Sequence, residues 1–165
     1  MYNVGDVVVH LMFGICRITA IEKRDFSGDE QEYYVLSRIR TNKNNLYVPT
    51  DNALAAQKIH KVCTREEADA LISGMEFNEM EWIENDEVRR EEYGKILKRS
   101  DRYEIILLIK SLYLHQKELS GKRKKLDRFD VKALKLAEKK LYEELAYALE
   151  IEQSEVAEYI TSRIV

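Results

Sequence analysis

Between Val4 and Asn52 the chain breaks into short apolar runs separated by turn residues, a spacing that leaves room for little besides a small β fold. Val7-Val8-Val9 leads to Phe13-Gly14, then Ile15 to Ile21, then the turn Ser27-Gly28-Asp29. Tyr33 to Ile39 follows, then the polar cluster Asn42-Lys43-Asn44-Asn45, and Leu46-Tyr47-Val48 ending at Pro49. β-Branched and aromatic side chains fill the runs because they pack well on a pleated surface, whereas Gly, Asn and Asp tolerate turn geometry and mark the breaks. Cys16, Ile18 and Ala20 alternate with Arg17 and Thr19, the period of two expected of a strand with one buried face. Helical periodicity is absent. Such runs favour a small, strongly bent, SH3- or Tudor-like β-barrel over residues 1–53. A module this small has little space for a catalytic cleft, and its common use is to offer a sheet edge or face to a partner.

Beyond Pro49, the lone proline, the pattern changes. Residues 54–63 read as a linker and residues 64–165 as a run of helices. Thr64-Arg65-Glu66-Glu67 has the form of a capping box, and Gly74 reads as a left-handed stop. A second helical segment from Asn78 to about Lys98 carries Met80, Trp82, Ile83, Tyr93, Ile96 and Leu97, with Asn85-Asp86 a point of interruption. Asp101 caps a third helix, with Glu104 placed to close its box. Ile105, Ile106, Leu107, Leu108, Ile109, Leu112 and Leu114 make that helix apolar on nearly every side, as befits the centre of a bundle. Gly121 ends it. The next helix, Asp130 to Leu149, keeps Leu134, Ala137, Leu141, Leu145 and Ala148 on one stripe, with Lys132, Lys135, Lys139, Glu143 and Glu144 outside it. Ser154 to Ile164 is a shorter final helix. The fold class predicted is α+β in two domains, a β-barrel followed by a compact all-α bundle.

Charge narrows the functional classes. The net charge of −3 argues against nucleic acid only until its distribution is considered. From Lys95 to Lys140 there are fifteen Lys or Arg against six Asp or Glu, whereas the chain on either side is acidic. Lys122-Arg123-Lys124-Lys125, followed by Arg128, reads either as a solvated loop or as a nonspecific phosphate contact. Signatures of an enzyme are missing: there is no Gly-rich phosphate loop, no His-Glu-x-x-His and no Gly-x-Ser-x-Gly. No cofactor is expected, and no metal, since His60 and Cys63 lack a second pair of ligands. No apolar run is long enough to cross a bilayer and the start lacks a signal peptide, so a cytoplasmic protein with Cys16 and Cys63 reduced is expected.

Several ordered blocks carry a resemblance. Val4-Gly5-Asp6-Val7-Val8-Val9-His10, Phe13-Gly14-Ile15, Ala20-Ile21-Glu22, Glu32-Tyr33-Tyr34-Val35-Leu36 and Val48-Pro49-Thr50-Asp51-Asn52-Ala53 resemble the start of the CarD family. These bacterial transcription regulators share an RNA-polymerase-interacting domain with the transcription-repair coupling factor. The resemblance implies that an exposed strand edge of the first domain adds to the polymerase β subunit. Arg24 falls where the family has a basic contact; Tyr47, just before Val48-Pro49, stands where a second basic residue is expected. In the second domain it implies that a tryptophan, here Trp82, wedges into the minor groove at the upstream edge of the melted promoter. By residue physics alone Trp82 reads as a core or half-buried aromatic, and it is the resemblance that favours the wedge. Basic residues follow it only at Arg89 and Arg90, which a continuous helix would place two turns on, with Arg89 on the same face.

The function expected is a non-enzymatic regulator that binds RNA polymerase and stabilises the promoter open complex. Promoter DNA would be met with weak sequence specificity through Trp82, Arg89, Arg90 and Lys122 to Lys125, since the minor groove distinguishes little beyond A·T from G·C. A monomer associated with the bacterial nucleoid is expected. The alternative is an adaptor that links polymerase or a repair factor to a second protein without touching DNA. An autonomous repressor is a weaker rival, because no reading helix is recognisable.

Overall fold

The computed structural model describes residues 1–26, 28–41 and 44–164. Ser27 of the first turn, Asn42 and Lys43 of the polar cluster, and Val165 lie outside them. The chain divides into two compact units, Met1–Cys63 and Thr64–Val165.

The first unit is an antiparallel sheet of five strands: β1 (Val7–His10), β2 (Gly14–Asp25), β3 (Glu30–Arg38), β4 (Leu46–Pro49) and β5 (Ile59–Lys61). Their order across the sheet is β4-β3-β2-β1-β5, so β4 and β5 are its edges. The turn into β2 uses Gly14 at φ 74°, a left-handed conformation that a side chain would strain. The alternation along β2 carries Cys16 and Ile18 into the core and keeps Arg17 and Thr19 out of it, but the pairing does not stay regular at Thr19. There the register slips, so that Ile18 faces Leu36 while Ala20 faces Val35. This bulge leaves Thr19 exposed, its hydroxyl donating to the Val35 carbonyl at 3.2 Å, and sharpens the local twist. Val8, Cys16, Ile18, Tyr34, Leu36 and Val48 form the core, with Tyr2 and Phe13 packed against it.

Residues 54–63 are not a linker. Asn52 caps a single helical turn, α1 (Ala53–Ala56), by accepting from the amides of Leu54 and Ala55 at 2.9 and 3.2 Å. The chain then returns as β5, which pairs with β1 from Val8↔Lys61 to His10↔Ile59. Ala55 and Ile59 join the core. Three strand residues are too few to show a period, so only pairing with β1 reveals them.

The second unit contains α2 (Arg65–Gly74), α3 (Asp86–Arg99), α4 (Arg102–Gly121), α5 (Arg128–Leu149) and α6 (Val156–Ile164). The capping box at Thr64 forms as its spacing predicts, with Glu67 N–H donating to the Thr64 hydroxyl and Thr64 N–H to the Glu67 carboxylate. Asp101 and Asp127 cap α4 and α5. Ile105, Ile106, Leu108, Ile109 and Leu112 are all buried, which makes α4 the centre of the bundle. α5 packs against it, and its Ala133, Ala137, Leu141 and Leu145 are buried.

Four expectations change here. Gly74 is not a left-handed stop; it is the last residue of α2, and the cap after it is Met75 at φ −65°, whose side chain is buried. The segment from Asn78 to Glu84 has no helix, because Asn85 caps α3 by accepting from the amides of Glu87 and Val88, both at 3.0 Å. Trp82 therefore stands before a helix, not on one. Glu104 does not close a box at Asp101; its carboxylate accepts from Nη2 and Nε of Arg99 at 2.8 and 2.9 Å. Glu144, expected outside the stripe of α5, is buried against Arg102 at 2.7 Å. No described helix is long and apolar enough to cross a membrane.

Candidate interaction surfaces

On the first unit the residues of interest meet where the β2–β3 hairpin reaches the β4 edge. Tyr47 is partly exposed, and its ring lies 5.2 Å from Phe26 and 6.4 Å from the buried Tyr33; Phe26 and Tyr33 are 5.1 Å apart. The Arg24 guanidinium sits 5.9 Å from the centre of the Tyr47 ring. It is also paired with Glu22 at 2.7 Å, and that hydrogen bond holds it above its ordinary pKa. Arg24 and Tyr47 are thus neighbours, as one contact surface requires. Val48 and Pro49 differ in what they offer. The Val48 side chain is turned into the core, so only its backbone can reach a partner, and Pro49 has no N–H to donate. Phe26 escapes sequence reading: it is 60% exposed, and the only hint is an apolar residue inside a polar turn.

On the second unit Trp82 is half-buried and stacked on His115, with ring centres 3.5 Å apart and planes 14° from parallel. The Arg89 guanidinium lies 4.6 Å from the Trp82 ring. Arg89, expected to meet phosphate, is instead 3% exposed. Its Nε and Nη2 donate to the two oxygens of Asp130, both at 3.1 Å, and Nη2 also approaches Asp86 at 2.8 Å and Asp127 at 3.3 Å. Nη1 donates to the carbonyl of Ile83 at 2.9 Å. Burial works against the charge, but the carboxylates of Asp130 and Asp86 outweigh it and keep Arg89 protonated. With its donors occupied, Arg89 fixes structure and is not available to a ligand.

Arg90 has a different environment. It is exposed and lies 5.5 Å over the ring of Phe129 in α5. The basic loop begins where α4 ends, with Arg123 at φ 56° and Lys124 N–H donating back to the Leu119 carbonyl at 2.8 Å. Lys122 pairs with Glu118 at 2.6 Å, and Glu118 lies 3.8 Å from His115. Arg123, Lys124, Lys125 and Arg128 are exposed. Contacts therefore run from Trp82 through His115 and Glu118 to Lys122, while Arg89 ties the same place to the start of α5. Trp82, Arg90 and the loop from Lys122 to Lys125 share one end of the helical unit. His115 is 33 positions from Trp82 and carries no signal in the sequence that could pair them. Among the described residues, no three His, Cys, Asp or Glu side chains group as a metal site.

Comparison with known proteins finds the model of the CarD-like/TRCF RID domain matching residues 2–63, which is the first structural unit. The first unit is thus similar to a CarD-like/TRCF RID domain. The chain is also 34% identical over 56 residues to the "Putative transcription factor YdeB" of Bacillus subtilis (strain 168). That alignment covers 34% of this chain and 36% of the relative, so the chain spans about a third of the protein it matches. The CarD-like resemblance and the division into β and helical domains are borne out. The matched domain and the relative's name point to a role in transcription for residues 2–63. The RID match stops at Cys63, before the helical unit begins.

Proposed function

We propose that the RID docks on the β subunit of RNA polymerase and that the helical unit bears on promoter DNA at the upstream edge of the bubble, stabilising the open complex. The grouping of Trp82, Arg90 and the Lys122–Lys125 loop at one end of the bundle carries this reading. An aromatic ring beside exposed cations suits a strand-separation edge, where phosphates and an opened base step lie within reach of each other. At the RID, the β4 edge with Phe26, Tyr47 and Arg24 supplies backbone groups, apolar area and charge to a β-rich lobe. A differential stabilisation of about 2 kcal/mol would shift the closed-to-open ratio roughly thirty-fold.

Promoter opening by purified bacterial polymerase, with and without the protein, tests the proposal. A longer open-complex lifetime or faster opening, lost in Trp82→Ala while polymerase binding persists, is the expected result. No change on any promoter would overturn it. Retention of the full effect in Trp82→Ala and in the neutralised loop would instead favour an adaptor without DNA contact.

A further inference from the structure

Resting on that reading, the geometry points to Lys110, His115 and Arg89 as positioning residues that hold the segment from Met75 to Asn85 and set the ring of Trp82 before any partner arrives. From Asn78 to Glu84 the segment has neither helix nor strand to order it. Its carbonyls are taken instead by two buried cations. Lys110, 7% exposed on α4, donates through Nζ to the carbonyls of Met75 and Asn78 and lies 3.3 Å from the Glu79 carboxylate. Arg89 donates to the carbonyls of Ile83 and Glu84 at 2.9 and 3.4 Å. Asn78 adds its amide to the Gly74 carbonyl at 2.8 Å.

A buried lysine is retained where its donors are satisfied, and here they are satisfied by this segment. The neighbours of Lys110 on α4, Ile106, Ile109 and Leu112, are apolar, so the packing of the bundle does not itself call for a cation. Trp82 lies between the two anchors, and His115, little more than one helical turn beyond Lys110, supplies the surface on which the indole rests. Stacking at 3.5 Å covers one face of the indole and fixes its plane. Holding the ring in advance removes the ordering cost that a free loop would meet on binding. His115 thus acts on DNA only through Trp82.

Trp82 is the single tryptophan, so its fluorescence reports this place in the intact chain. The experiment compares parent, His115→Ala, His115→Phe and Trp82→Ala in three measurements: emission anisotropy (where Trp82 is present), open-complex lifetime with polymerase, and affinity for plain duplex DNA. His115→Ala is expected to lower the anisotropy and to cut the lifetime effect by roughly two- to tenfold, the worth of one aromatic pair. Plain duplex affinity, set by phosphate contacts, stays unchanged. His115→Phe, which restores a flat surface without the imidazole, recovers both losses. Unchanged anisotropy and lifetime in His115→Ala, or no recovery in His115→Phe, overturns the inference. If Trp82→Ala leaves the open complex untouched, the DNA reading falls, and the anisotropy series alone still decides whether His115 holds the ring.

Discussion

Arg89 has the chemistry of a phosphate ligand, yet its surroundings give it another task. Its fork matches Asp130, which is itself only 2% exposed, and removing the guanidinium would leave that carboxylate buried without a partner. Breaking a buried pair in this way costs about 3–5 kcal/mol. Arg89→Ala should therefore lower the stability of the chain by about that much in urea unfolding, and Arg89→Lys should recover only part, since an ammonium cannot bridge both oxygens. A change within about 1 kcal/mol of the parent would show the pair to be structurally idle.

His10 makes a prediction of the opposite kind. Burial, assisted by the charge of Lys58, lowers its pKa, and its Nδ1 accepts from the Met12 amide at 3.2 Å, which requires an unprotonated nitrogen. Unfolded His10 therefore binds a proton more readily than folded His10. Stability should fall as pH drops below about 6.5 and level off once the folded value is passed. Urea midpoints between about pH 8 and about pH 5 should show that slope in the parent and a flatter one in His10→Gln.

At the scale of elements, β4 and the α4–α5 loop carry the proposed contacts. Phe26 and Tyr47 are exposed aromatics at a sheet edge, a liability unless something covers them. Phe26→Ala should cost little stability but weaken binding to polymerase by about tenfold or more, measured by titration against the purified enzyme. An unaltered affinity would remove the aromatic patch from the interface. In the loop, Lys124→Gln together with Lys125→Gln should lower the dependence of log K on log salt by about 0.9 for each phosphate that is no longer neutralised. An identical slope would mean that the loop is merely solvated. The loop was legible as a charge run, and its helix stop as Gly121. Strand β5 and Phe26 were not, because a three-residue strand has no pattern of its own and a lone aromatic in a turn resembles an accident of composition.

For the whole molecule, each unit has its own core. In the first, Val8, Cys16, Ile18 and Leu36 are each 0% exposed; in the second, Ile106, Leu108, Ile109 and Leu145 are. Residues 1–63, with β5 included, should fold alone and, on the proposed function, bind polymerase, which circular dichroism and titration would check. A fragment ended at residue 53 should lose β5, Ala55 and Ile59 from sheet and core, and be markedly less stable. Equal stability of the two fragments would contradict the place given to β5.

Local order was readable in the chain itself: the strand periods, the capping box at Thr64, the stripe of α5 and the segregation of charge all depend on neighbours a few residues apart. The family likeness of the first unit was readable for the same reason, as ordered blocks along one stretch. Tertiary packing decided the rest. It took Arg89 from solvent to Asp130, turned Glu144 inward to Arg102, paired β5 with β1 and laid Trp82 on His115. Each of these joins residues far apart in the chain, and which of several chemically suitable partners a buried group meets depends on how the elements pack, a choice that no local pattern encodes.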